Sequence, residues 1–112
     1  MESLIGQVVN TIKSYLDPSK FEVYEEVNRR KGKVEDEIII VPKEDVTFLT
    51  SDYSFEVISG DEEVMIDLKD HLVRFKKGKK NYEVELPKRS IPKFRFDITN
   101  QKLINFSIQI RE

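Results

Sequence analysis

Four stretches near the end of the chain decide its fold: His71-Leu-Val-Arg-Phe-Lys76, Lys80-Asn-Tyr-Glu-Val-Glu-Leu86, Lys93-Phe-Arg-Phe-Asp-Ile98 and Leu103-Ile-Asn-Phe-Ser-Ile-Gln-Ile110. In each, apolar residues recur at every second position: Val73 and Phe75; Tyr82, Val84 and Leu86; Phe94, Phe96 and Ile98; Ile104, Phe106, Ile108 and Ile110. Successive side chains of a strand point to opposite faces, so this spacing predicts strands with one apolar and one wet face. Such faces need a second layer to cover them.

Upstream, the same alternation continues. Phe21, Val23 and Val27 predict a strand, followed by a polar loop over Asn28-Arg-Arg-Lys-Gly-Lys33. Glu37-Ile-Ile-Ile-Val-Pro42 predicts a short apolar strand, Val46 and Phe48 another, and Tyr53, Phe55 and Val57 a third. Ser59-Gly60-Asp61 turns into Val64, Ile66 and Leu68, a hairpin signal. Asp70-His71, Lys77-Gly78-Lys79 and Asn100-Gln101 mark further turns, and Pro87 and Pro92 frame a loop. Only Ser3 to Leu16 has helical spacing. There Leu4, Ile5, Val8, Val9, Ile12, Tyr15 and Leu16 form one stripe, which Asp17-Pro18 ends. The expectation is one domain over 1–112, a helix over 1–17 and an antiparallel β-sandwich of about eight strands over 20–110.

At 112 residues the chain has the length of one domain, and 38% hydrophobic residues in a periodic pattern set it apart from disordered sequences. The net charge of −2 gives no overall attraction to nucleic acid or anionic membranes. No signal peptide is recognisable, and no apolar run approaches the ~20 residues of a membrane span. The chain has no cysteine, which removes disulfides and thiolate chemistry and makes a cytoplasmic protein the expectation. Abundant Lys and Glu lean toward a heat-loving source.

Little in the sequence points to catalysis, and neither a metal nor a cofactor is called for. His71 is the single histidine, so a two-histidine metal site is excluded. Asp67, Asp70 and His71 read as a charged turn. Asp52 with Asp67-Leu-Lys69 has the outline of a metal-dependent nuclease site, but no Glu-x-Lys occurs in the chain. The acids Glu25-Glu26, Glu35-Asp36-Glu37 and Asp61-Glu62-Glu63 read as solvated turns, and the glycines at 6, 32, 60 and 78 are too scattered for a phosphate loop.

Two basic clusters, Arg29, Arg30, Lys31 and Lys33, and Lys76, Lys77, Lys79 and Lys80, would form an electropositive edge if they lay at one end of the sandwich. Arg74, Tyr82 and Arg95 would extend it. That is the basis of the alternative reading, a small nucleic-acid-binding domain. Lysine-rich turns equally serve to keep strand edges soluble.

Several fragments resemble the small heat-shock (α-crystallin) domain. Glu85-Leu86-Pro87 is similar to its Leu-Pro after a strand. Asn100-Gln101-Lys102-Leu103 with Ile104, Phe106 and Ile108 resembles its closing Asn-Gly-Val-Leu signature, with Gln101 in the place of Gly. Val41-Pro42-Lys43-Glu44-Asp45-Val46 and Val23-Tyr24-Glu25-Glu26 resemble two more segments. The resemblance spans residues 21 to 110 and implies a two-layer antiparallel sandwich that binds other proteins. Ile108-Gln-Ile110 has the spelling of the family's assembly-linking tail but reads as the closing strand. The expected function is therefore a non-enzymatic interaction domain, chaperone-like, whose partner is another protein chain or a second copy. Extended segments would dock at sheet edges and in the groove between layers. The helix stripe Leu4, Ile5, Val8, Ile12 and Leu16 is a second candidate contact, unless it packs on its own sheet.

Overall fold

A computed structural model describes residues 4–86 and 89–111, with the side chains of Leu4, Ile5, Arg30 and Arg111 outside the description. The elements are α1 (Leu4–Tyr15), β1 (Phe21–Arg30), β2 (Lys33–Pro42), β3 (Thr47–Thr50), β4 (Ser54–Ser59), β5 (Glu62–Asp67), β6 (Leu72–Lys77), β7 (Lys80–Glu85), β8 (Ser90–Asp97) and β9 (Lys102–Arg111). They form two antiparallel sheets of order β1-β2-β9-β8 and β3-β4-β5-β6-β7, a β-sandwich with one N-terminal helix. The four stretches that open the sequence argument divide between the layers: β6 and β7 end the five-stranded meander, whereas β8 and β9 join the first hairpin.

Turn chemistry sets the registers. Lys31 and Gly32 both have positive φ (51° and 76°), the type I′ geometry that suits the right-handed strand twist. Gly60 (60°) and Gly78 (58°) each open a two-residue turn with positive φ, as type II′ requires. At β4–β5 this sets Ser59 opposite Glu62, and at β6–β7 Lys77 opposite Lys80. At the end of α1, Asp17 accepts hydrogen bonds from the backbone N–H and hydroxyl of Ser19 (2.9 and 2.7 Å), while the amides of Lys20 and Phe21 bond back to its carbonyl. That turn feeds the chain straight into β1.

The core lies between the layers. Ile38, Ile40, Phe106 and Ile108 from one sheet meet Val57, Val64, Ile66 and Val73 from the other, all essentially without solvent exposure. The helix packs on β1 and β7 and closes that side of the sandwich. Val8, Val9, Ile12 and Leu16 belong to the common core, and Tyr15 stacks on Tyr82 with ring centroids 4.4 Å apart and planes 9° apart.

Three sequence expectations change. Asn28, Arg29 and Arg30 extend β1, and Lys33 opens β2, so only Lys31-Gly32 is a turn. Pro92 lies inside β8 instead of bounding a loop (Pro87 lies outside the described residues); β8 is an edge strand, where a missing N–H leaves no ladder bond unmade. The third change is a bulge. Arg95 pairs with Asn105 but Phe96 with Leu103, so Ile104 has no residue opposite it. One extra residue reverses the faces. Leu103 takes the inward place expected of Ile104, and Ile98, expected on the apolar face, falls in the following turn with 84% exposure.

Ile12 is fully buried in the common core, on the helix that packs against β1 of one sheet and β7 of the other. Ile12→Ala is expected to cost about 2–5 kcal/mol in urea unfolding, the range for truncating a buried aliphatic side chain.

Candidate functional site

The helix stripe is committed within the chain. Val8, Ile12 and Leu16 are buried in its own core, so they present no free contact face; the side chains of Leu4 and Ile5 lie outside the described residues. The alternative of packing on its own sheet is the one the fold adopts for these three.

The opposite side of the sandwich, between the edge strands β3 and β8, has no helix over it among the described residues. Instead it is lined with aromatic rings. Phe48 on β3 meets Phe96 edge-on at 5.1 Å, and Phe94 on β8 stacks on Phe55 at 5.2 Å with planes 6° apart. Phe55 in turn touches Phe106 in the core, at 5.6 Å. Phe55 is buried, but Phe94 is 53% exposed, and Phe48 on β3 lies across the opening from it with ring centroids 6.2 Å apart. A ring stacked on the core with half its surface in water is a ready apolar contact. The strand β8 carries Pro92, Lys93 and Arg95, features that discourage pairing along its edge. The strand β3 (Thr47–Thr50) has neither proline nor charge.

The two basic clusters do not come together. Lys20, just before β1, reaches Asp61 in the β4–β5 turn at 3.2 Å, and Gly78 in the β6–β7 turn bonds Asp61 through its amide. The start of β1 and the Lys76–Lys80 hairpin therefore share one end. The Arg29–Lys33 hairpin follows ten strand residues, about 30 Å, further on. It sits at the other end, so no single electropositive edge results.

The charges are also partly neutralised. Lys77 pairs with Glu62 at 3.6 Å. Arg74 donates to Glu83 and Asp70, both at 3.2 Å, and lies 3.6 Å from Asp67, while Tyr82 is covered by Tyr15. Beside the same hairpin, an open cleft of about 560 Å³ is lined by Lys79, Lys80 and the already paired Lys77, with Ser14, Tyr15 and Tyr82, and its lining holds no carboxylate.

The nuclease-like set is likewise spoken for. Asp67 and Asp52 do reach one end of β4 and β5, since Ser54 registers with Asp67. Asp67 Oδ1, however, accepts the amides of Lys69 and Asp70, each at 3.0 Å, which builds the turn in which His71 takes φ 54°. Among the described residues no group of three His, Asp or Glu side chains is placed to share a metal ion.

The acids expected in solvated turns lie mostly in strands: Glu25 and Glu26 in β1, Glu35, Asp36 and Glu37 in β2, and Glu62 and Glu63 in β5, with Asp61 in a turn. Glu62 continues the inward row of Val64 and Ile66 and is only 2% exposed, with Lys77 as its counter-charge. Alternation read from Val64 backward carries that signal in the sequence. On the outer face of the same sheet, Glu63 shares a hydrogen bond with Glu56. Burial first, and then this bond and the charge of Glu63, hold the Glu56 carboxyl above its ordinary range. Asp97 moves the other way. The side-chain and backbone N–H groups of Asn100 hold its carboxyl below the ordinary range. No helix among the described residues is long and apolar enough to cross a membrane.

The chain matches no family model, no curated protein and no solved structure.

The Glu56–Glu63 pair has a definite pH signature. A raised carboxyl pKa means that the folded state holds the proton more tightly, so the pair is most favourable below the ordinary carboxylate range and loses that contribution as pH rises through the raised value. Glu56→Gln is therefore expected to stabilise the protein at pH 7, by about 0.5 kcal/mol on the scale of like-charged neighbours in sheets. The gain should vanish toward pH 4 when thermal unfolding is followed as a function of pH.

Proposed function

We propose that this protein is a non-enzymatic, chaperone-like interaction domain that takes up extended apolar segments of other proteins at the open side between β3 and β8. The observation that carries this reading is the half-exposed ring of Phe94 stacked on the buried ring of Phe55 beside the uncovered edge strand β3. An extended segment adding to β3 would satisfy that edge's free amides and carbonyls. Its alternate side chains would point inward to Phe48 and Phe94. Main-chain pairing is sequence-tolerant, and the aromatic lining selects for apolar residues, which together suit recognition of partly unfolded chains.

The resemblance to the small heat-shock domain supports the same reading. So does Gln101, which adopts φ 54°, the left-handed conformation for which the family's signature uses glycine. In this reading Ile108-Gln-Ile110 is structural, since it lies in β9 with both isoleucines buried. The lack of cysteine accords with action in a reducing compartment such as the cytoplasm.

The test is suppression of aggregation of a heat-denatured client, followed by light scattering. Wild type is expected to suppress it, and Phe94→Glu to lose most of that effect while its unfolding midpoint changes little, the side chain being half in water already. Wild type without suppression, or Phe94→Glu as active as wild type, would overturn the reading.

The second reading, nucleic-acid binding, keeps one supporting observation: the lysine-lined cleft at Lys77, Lys79 and Lys80 beside stacked Tyr15 and Tyr82. On that reading single-stranded RNA or DNA binds at low salt, weakens steeply as salt rises, and is lost when Lys76, Lys77, Lys79 and Lys80 are all replaced by Glu. Wild type that retains no labelled oligonucleotide in a low-salt filter-binding assay would end it.

A further inference from the structure

The outer half of β1 is a free edge of unusual composition. The helix is about 18 Å long for its 12 residues and cannot follow all of β1, which runs about 30 Å over 10. Residues Tyr24 to Arg29 are exposed, with Val27 at 52%.

The Lys31-Gly32 turn settles which groups face outward. A two-residue I′ loop makes its flanking residues, Arg30 and Lys33, a hydrogen-bonded pair. Stepping back by twos, Asn28 and Glu26 also direct their main-chain groups to β2. The amides and carbonyls of Arg29, Val27 and Glu25 point the other way, to the open edge. By alternation the side chains of these same three residues share one face.

The sequence of this edge is self-complementary. Residues 24–30 read Tyr-Glu-Glu-Val-Asn-Arg-Arg. In an antiparallel pairing about a two-fold axis through Val27, Glu25 stands opposite Arg29 of the second copy and Glu26 opposite its Asn28. Val27 meets its own equivalent. Because the axis repeats each contact, two Glu25–Arg29 pairs flank the Val27–Val27 contact. Val34 lies opposite Arg29 on β2, on the same face as Val27, and its exposed side chain widens that apolar strip. Moving the axis by one residue to Glu26 would set glutamate against glutamate. No ion pair among the described residues already uses Glu25 or Arg29.

We propose that β1 pairs with β1 of a second copy of this chain about a two-fold axis through Val27, joining two four-stranded sheets into one continuous eight-stranded sheet. The contact is isologous, so it closes on itself as a dimer and does not propagate. Its main-chain ladder amounts to about six hydrogen bonds in three narrow pairs. An edge contact of this size gives a dimer that forms and dissociates with concentration. It leaves the β3–β8 side of each copy open and does not depend on what binds there.

Sedimentation velocity from about 10 µM to about 1 mM protein tests the pairing. Wild type is expected to shift from monomer to dimer across this range. Glu25→Arg puts arginine opposite arginine twice, and Arg29→Glu puts glutamate opposite glutamate twice. Each variant alone is expected to weaken the dimer by at least about tenfold. An equimolar mixture of the two variants should regain it, since each charge then meets its opposite in a heterodimer. A misfolded variant could not produce that recovery. Val27→Pro removes an N–H that faces away from β2, and should abolish dimerisation while far-ultraviolet circular dichroism shows the fold retained. Wild type that stays monomeric throughout, single variants that dimerise as wild type does, or a mixture that stays monomeric would each overturn the proposal.

Discussion

Everything in this fold hangs on the pairing of β2 with β9. It brings the first hairpin against the last one across most of the chain and so completes the sheet β1-β2-β9-β8. On its inner side the pairing aligns Ile38 with Ile108 and Ile40 with Phe106, the four side chains at the centre of the core. On its outer side, the hydroxyl of Ser107 donates to Glu37 at 2.6 Å and the Gln109 amide to Glu35 at 2.7 Å. Hydrogen bonds to charged acceptors are among the stronger ones, and here they fix a register whose slip by one residue would turn the isoleucines outward. The five-stranded meander is local by comparison: each strand pairs with its neighbour through a short turn, and the layer finds its cover only when the distant hairpins have met.

A sandwich leaves two open sides, and this chain treats them differently. On one, α1 fills the gap with Val8, Val9, Ile12 and Leu16, and Tyr15 closes over Tyr82. On the other, phenylalanine rings bridge the layers and no further element among the described residues lies over them. The asymmetry gives the molecule one side closed by the helix and one side closed by aromatic rings alone among the described residues. The charged turns are arranged around this frame. Lys20 and Lys77 converge on the β4–β5 turn, where they meet Asp61 and the buried Glu62. A carboxylate with almost no solvent requires such a counter-charge close by. These lysines therefore serve the fold at one end of the sandwich, far from the arginines of the first hairpin.

The sequence by itself determined the two-layer β architecture, the single N-terminal helix, the turns at Gly32, Gly60 and Gly78, and most of the inward-facing residues. The reason is that a period of two, punctuated by turn formers, has one reading wherever one face is buried. It also placed Phe94 and Phe96 on one face of a single strand. Tertiary structure alone decided four further matters. The bulge at Ile104 exchanged its place with Leu103, because the shift of register depends on how β8 and β9 pair and leaves no mark in either strand alone. Alternation alone puts Glu62 on the inward row, but only the β5–β6 pairing sets Lys77, fifteen positions later, across the ladder as its counter-charge. The two basic clusters parted because β1 runs the length of the sheet between them. The helix stripe and the aromatic strip are equally apolar in sequence, yet one was buried and the other left at an open side, since only the packing of the layers determines which sides receive a cover.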